Sequence, residues 1–273
     1  MFITAKMKTP YQAHPYHLVN PSYWPLLGAL SGFLFTLGVV MYFQGFLFGK
    51  IVLFTGLFFI IFTMVVWWRD VIDESLQGHH TSYVQTSLKY GVILFIVTEV
   101  MFFFGFFWAF FHAALSPTVE IGCIWPPVGI TVFHPFEVPL INTMLLLLSG
   151  VAVTWSHHAM VEGYSQEAVM GLIVTVILAS IFTVFQGYEY LEATFDISDS
   201  VYGTTFYMTT GLHGLHVLIG TIFLTVCLVR MYKGHFTPTH HVGFEAAIWY
   251  WHFVDAVWLF LYAFIYYWGG LSY

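Results

Sequence analysis

Seven long apolar runs, separated by short joins rich in glycine, proline and polar residues, dominate the chain. A helix needs ~20 apolar residues to cross the roughly 30 Å hydrocarbon layer of a bilayer. The runs predict transmembrane helices near 23–44, 48–68, 82–115, 139–161, 165–190, 203–231 and 243–268. The joins carry the expected breakers: Gln44-Gly45, Gly49-Lys50, Gln77 through His80, Pro117 through Pro139, Glu162-Gly163, Asp196 through Gly203, and Gly234 through His241. The third and sixth runs exceed what a bilayer requires, so those helices should tilt or project. The fold class is therefore all-α and polytopic. No inverted internal repeat of the kind that marks many secondary transporters is visible.

Composition agrees with the pattern: 59% of residues are hydrophobic, 8% are charged, and 21% are aromatic. Cys123 and Cys227 are the only cysteines, which excludes a disulfide framework and a multi-cysteine copper centre. The formal charge of −7 is spread over the joins with no basic run, so nucleic acid is not a partner. The first twenty residues hold two lysines but no apolar core followed by a small-residue cleavage site, and the first span is expected to direct insertion itself.

Basic residues set the orientation. Lys6, Lys8, Arg69, Lys89, Arg230 and Lys233 fall on the N-terminal side, and only Lys50 falls opposite. The positive-inside rule places the N-terminus in the matrix or cytoplasm. The same side carries His14, His17, His79, His80, His157, His158, His235, His240 and His241, while Glu120, Glu137, Glu192, Asp196 and Asp199 mark the other. Imidazoles titrate near neutral pH and can relay protons; histidine is also an ordinary interfacial residue that caps helix ends.

Candidate chemistry centres on Glu99, the only charged side chain between Tyr90 and Phe111. At mid-membrane a carboxyl group either serves as a protonatable site or hydrogen-bonds to a neighbouring helix as structure. His213 and His216, spaced i, i+3, share a helical face and are its candidate partners. Two histidines and a carboxylate could also hold a metal, but the further carboxylates of a di-iron bundle are missing. Trp68 with Arg69 ends the second span, and Arg230 with Lys233 ends the sixth. Tryptophan and cations at headgroup depth suit phospholipid phosphate as well as plain interfacial anchoring. Glu245, His252 and Asp255 crowd the last span and should face a protein interior or a partner subunit.

Several motifs together resemble one family. They are His-Leu-Val-Asn-Pro-Ser (17–22), Trp-Trp-Arg-Asp-Val (67–71), Gln-Gly-His-His-Thr (77–81), Glu-Val-Met-Phe-Phe-Phe-Gly-Phe-Phe-Trp-Ala-Phe (99–110), Trp-Pro-Pro (125–127) and Leu-Ile-Asn-Thr (140–143). They continue with Thr-Trp-Ser-His-His (154–158), Ile-Ser-Asp-Ser-Val-Tyr-Gly (197–203), Gly-Leu-His-Gly-Leu-His-Val (211–217) and Gly-Phe-Glu-Ala-Ala-Ile-Trp-Tyr-Trp-His-Phe-Val-Asp (243–255). From about His14 onward the chain resembles subunit 3 of cytochrome c oxidase.

The resemblance implies a subunit without haem, copper or a catalytic centre, whose metals belong to partner subunits 1 and 2. It implies a segment 1–22, a two-helix bundle 23–72 and a five-helix bundle 73–273, with structural phospholipids in a V-shaped cleft between the bundles. It implies that the subunit stabilises the catalytic core, supports proton uptake and sits among accessory subunits in the mitochondrial inner membrane, the bacterial plasma membrane being the alternative. Glu99 falls on the family's reactive glutamate. Trp68, His80, Arg230 and Lys233 fall on its lipid-phosphate contacts, and no metal is expected on this chain. Two positions depart from the pattern: Asp73, where relatives usually carry arginine, and Thr194, where they tend to carry proline. A carboxylate at 73 cannot hold a phosphate.

The rival reading is a proton-coupled transporter with Glu99, His213 and His216 as its relay. A seven-helix receptor would place its N-terminus outside, against the charge bias, and a quinol oxidase subunit of the same superfamily usually has five spans.

Overall fold

Hydrocarbon offers no water to an unpaired backbone amide or carbonyl, so each apolar run must close its own hydrogen bonds as a helix. The computed structural model, which describes residues 14–270, has that form. The helices are α1 (Trp24–Phe43), α2 (Gly49–Leu76), α3 (Ser82–Leu115), α4 (Val138–Glu162), α5 (Ser165–Glu192), α6 (Ser200–Tyr232) and α7 (Val242–Phe260). The last continues through π-helical turns over Leu261–Trp268. Counting that extension with α7, all seven are long and apolar enough to cross a membrane. Among the described residues there is no strand. Lys6 and Lys8, used above for orientation, lie outside the described residues.

The main difference from the expected spans is at α2, which runs to Leu76 rather than stopping near 68. Trp67 and Trp68 mark headgroup depth, but nothing there breaks a helix. Beyond them Asp70 accepts a hydrogen bond from Trp24 Nε1 at 2.6 Å, and Glu74 lies 3.8 Å from His17. Thr81 then donates to the Pro15 carbonyl. These ties draw the α2–α3 turn toward the N-terminal segment. The described residues accordingly group into two compact units that divide between Ser87 and Leu88, inside α3, rather than at 72/73.

In the first unit α1 and α2 form an antiparallel hairpin held by close backbone approach. A Cβ on Gly38 would fall 2.3 Å from Leu53 N, and one on Gly56 would fall 2.4 Å from Phe35 N. Lipid tails are as apolar as any side chain, so helices in a bilayer gain by such contact rather than by hiding apolar surface.

In the second unit α7 is the core helix: it buries eleven of its residues, against three for α3. Trp251 and Trp258 are fully buried. Their indole N–H groups donate to Ser149 and Thr143 of α4, both at 2.9 Å. Those hydroxyls in turn donate to the Leu146 and Pro139 carbonyls. The remainder of α3 meets α7 through rings, with Phe95 on Tyr250, Phe103 on Phe253, Phe107 on Phe260 and Phe111 on Phe264. Thr131, in the long loop before α4, is hydrogen-bonded through its hydroxyl to that of Thr194 in the α5–α6 connection, so Thr194 has a partner there. Glu120 sits in the same loop as Thr131. Hydrogen bonds from the Thr118 hydroxyl and then from its own backbone hold its carboxyl below the usual range.

The hairpin makes a differential prediction. Gly56→Ala drives a methyl into the α1 backbone and should destabilise the first unit by about 1–3 kcal/mol. Gly32→Ala meets nothing within 4 Å and should be neutral. Thermal-aggregation midpoints of the two variants in the same detergent check this: the first should fall and the second should not.

Candidate functional site

Glu99 lies midway along α3, and the turn of α6 that carries the two histidines faces it within the second unit. Glu99 Oε2 is 2.8 Å from His216 Nε2. The other ring nitrogen of His216, Nδ1, is 2.8 Å from the Leu212 carbonyl one turn back. A carbonyl can only accept, so Nδ1 carries a proton and the tautomer is set. What remains is one proton between Nε2 and the carboxyl group. It sits on the carboxyl facing a neutral ring, or on the ring facing a carboxylate; in either form both atoms are satisfied. Three rings surround that of His216: Tyr250 stacks on it at 6.2 Å between centroids, Phe103 is tilted to it at 5.0 Å and Phe253 meets it edge-on at 6.1 Å.

His213 does not join this pair. It is fully buried against Phe182 and Trp258, and its Nε2 donates to the Val254 carbonyl at 3.1 Å. The i, i+3 spacing puts both histidines on one broad face. The side chains nevertheless diverge, His216 toward α3 and His213 toward α7. The trio of Glu99, His213 and His216 is therefore a pair and a separate buried histidine.

The four lipid candidates fall in two units. In the first, Trp68 is exposed on α2. His80 lies in the α2–α3 turn, its ring centroid 6.3 Å from that of His17. In the second, Arg230 ends α6 with its guanidinium 4.4 Å over the Phe236 ring, and its buried Nε has no hydrogen-bond partner among the described residues. Lys233 is the exposed C-cap of the same helix. Asp73 is exposed on α2.

The polar residues of α7 meet three fates. Asp255 is buried. Glu245 is ion-paired to Lys89 of α3 at 2.6 Å. His252 is exposed on this chain, the second of the two expected placements being a partner subunit, and keeps one bond to Thr154 of α4 at 3.2 Å. It sits one residue beyond the stripe that buries Trp251 and Asp255.

Sequence reasoning missed two groups. Glu189 is buried on α5, where Tyr266 donates to its Oε1 at 2.6 Å and Gln186 lies at 3.4 Å. The Gln-x-x-Glu spacing of 186 and 189 at the end of an apolar run was the available signal. Lys89, which counted only toward orientation, is the second; its partner lies 156 positions away on a different helix and left no local trace.

Comparison with known proteins decides the family. The family model described as Cytochrome c oxidase subunit III matches residues 14–270. The chain belongs to this family. It is 62% identical over 260 residues to cytochrome c oxidase subunit 3 of Marchantia polymorpha, covering 95% of this chain and 98% of that one. The Triticum aestivum protein of the same name is 61% identical over 261 residues, and that of Chondrus crispus is 53% identical over 271.

As a cytochrome c oxidase subunit III family member, the chain is a multi-pass subunit of a terminal oxidase, an oxidoreductase complex of the respiratory chain, and carries no catalytic centre of its own. Haem and copper belong to other subunits.

The Glu99–His216 pair yields a test of its structural weight. Glu99→Gln retains a donor for His216 Nε2 and should leave stability within about 0.5 kcal/mol of the parent. Glu99→Ala strands that nitrogen and should cost about 0.5–2 kcal/mol, the range of an interhelical polar bond in lipid. Graded detergent denaturation of the two variants measures the difference.

Proposed function

We propose that this chain acts as the scaffold of its oxidase. On this reading it stabilises the catalytic subunit 1, contacts subunit 2 and accessory subunits, supports proton uptake on the N-terminal side, and retains phospholipids by their phosphates. Its setting is the mitochondrial inner membrane, with the N-terminus in the matrix. That location is supported by likeness to subunits from plants and a red alga and by the bias of Arg69, Lys89, Arg230 and Lys233 toward one side.

The observation that carries the scaffold reading is the closed hydrogen bonding of Glu99 and His216. Neither residue is hydrogen-bonded to His213, whose ring packs against Phe182 and Trp258 and whose Nε2 donates to the Val254 carbonyl. A relay through Glu99, His216 and His213, as the proton-coupled transporter requires, is interrupted at its second step. The carboxyl group is held as a helix-to-helix tie.

Phospholipid retention rests on Arg230 and Lys233. Burial of the Arg230 Nε without a partner leaves a cation that an anionic oxygen would satisfy. Charge-assisted bonds to phosphate are roughly twice as strong as neutral ones. In the first unit, Trp68 supplies interfacial anchoring and His80 a donor. Asp73 and Glu74 in the same stretch oppose phosphate there, so the α6 cations should carry most of the affinity.

Two measurements test these roles. Native mass spectrometry of the oxidase with Arg230→Ala and Lys233→Ala combined should show at least one bound phospholipid fewer and weaker retention of this chain; an unchanged lipid count removes the lipid role. Oxidase carrying Glu99→Gln should keep turnover and proton pumping near the parental level. Full assembly with lost pumping would make Glu99 a proton relay and sink the scaffold reading.

A further inference from the structure

A second cluster, apart from Glu99, sits where the start of α3, the end of α4 and the start of α7 come together within the second unit. Nε2 of His157, Nε2 of His241 and a carboxylate oxygen of Glu245 all lie within 4.8 Å of one another. The two imidazole nitrogens are 3.3 Å apart, and His241 Nε2 is 3.8 Å from Glu245 Oε1.

These distances carry chemical meaning. Zinc binds histidine nitrogen and carboxylate oxygen at about 2.0–2.2 Å in a tetrahedron, which sets neighbouring donor atoms roughly 3.3–3.5 Å apart. The imidazole pair already has that spacing; Glu245 Oε1, 3.8 Å from His241 and within 4.8 Å of His157, would have to swing inward by about an ångström to complete the set.

The donors are also prepared for a cation. His241 Nδ1 donates to the Thr237 carbonyl at 2.9 Å, so its Nε2 is the unprotonated nitrogen and faces the cluster. A ring N–H bonded to a carbonyl is the usual outer partner of a metal-binding histidine. Glu245 is held by its far oxygen: Lys89 Nζ lies 2.6 Å from Oε2, which leaves Oε1 turned to His241. His241 is buried, while His157 and Glu245 are partly exposed, so the cluster is enclosed on one side and reachable from the other.

We propose that His157, His241 and Glu245 form an exchangeable site for a borderline divalent cation of the Zn2+ type, with water as the fourth ligand and Lys89 orienting the carboxylate. This departs from the expectation that the chain holds no metal. The cation would replace the proton that otherwise lies between the two imidazole nitrogens, and so withdraw a protonatable pair from the N-terminal side. A positive Lys89 beside the carboxylate keeps the affinity moderate, as suits an exchangeable ion rather than a resident cofactor. None of the residues proposed for lipid or for the Glu99 tie takes part.

The test uses the intact oxidase and Zn2+ alone, with bound metal counted by equilibrium dialysis and elemental analysis across a zinc titration. Parental oxidase should bind one zinc per complex more than the His157→Gln variant, or bind that ion at least about tenfold more tightly. His158→Gln alters an exposed neighbour outside the cluster and should leave the count unchanged. His241→Cys, which keeps a zinc ligand in the buried position, should retain the ion if the complex assembles. Equal stoichiometry and affinity in the parent and His157→Gln would overturn the proposal. Loss of the same ion in His158→Gln would overturn it too.

Discussion

A polar group in hydrocarbon has no water to bond to, and this constraint orders the whole molecule. Backbone groups satisfy it by forming helices. Short hydroxyls satisfy it locally: Thr175, Thr205, Thr209, Thr210 and Thr221 each donate to the carbonyl four residues back on their own helix. Groups too large for that solution must find a partner on another helix, and those bonds tie the second unit together. Glu99 reaches His216 between α3 and α6, Trp251 and Trp258 reach α4, and Tyr266 reaches Glu189 of α5. Each bond is worth only about 0.5–2 kcal/mol, yet leaving any one of these groups unpaired is worse than never having placed it there.

Packing follows from the same solvent. The α1–α2 hairpin uses glycine so that backbones touch, and the side chains around it are small at the contact and large toward lipid. The α3–α7 contact takes the opposite form, filling a wider gap with edge-to-face phenylalanines. Such ring pairs bring about 0.5–1.5 kcal/mol beyond the area they cover. A carboxyl group on α3 can be tolerated because those rings close around its histidine partner.

Most of the charged residues that remain stand near the helix ends, Asp255 of α7 being a buried exception. On the N-terminal side this concentrates Lys89, Glu245, His157 and His241 in one place, with Arg230 at the end of α6 on the same side. In its second unit the chain thus carries ionic side chains at the helix ends, and the acidic groups farther in, Glu99 and Glu189, are hydrogen-bonded to neighbouring helices. The metals of the reaction belong to its neighbours in the complex.

How much of this the amino-acid order determined by itself can be judged residue by residue. Run length and composition were sufficient for seven helices, because a bilayer admits only long apolar helices. The spacing of Glu99, His213 and His216 was enough to nominate a tie between α3 and α6. Tertiary structure alone decided which histidine took it, since a shared helical face spans more than one direction and the neighbouring helices divide it. It also decided that α2 runs on past Trp68 to Leu76, because Asp70 and Glu74 find partners in Trp24 and His17, far back in the chain. The pairing of Lys89 with Glu245, and the meeting of His157 with His241, rest on contacts between residues far apart in the chain. Local sequence leaves no mark of such contacts, because an ionic or imidazole side chain at a helix end looks the same whether it faces water or a partner.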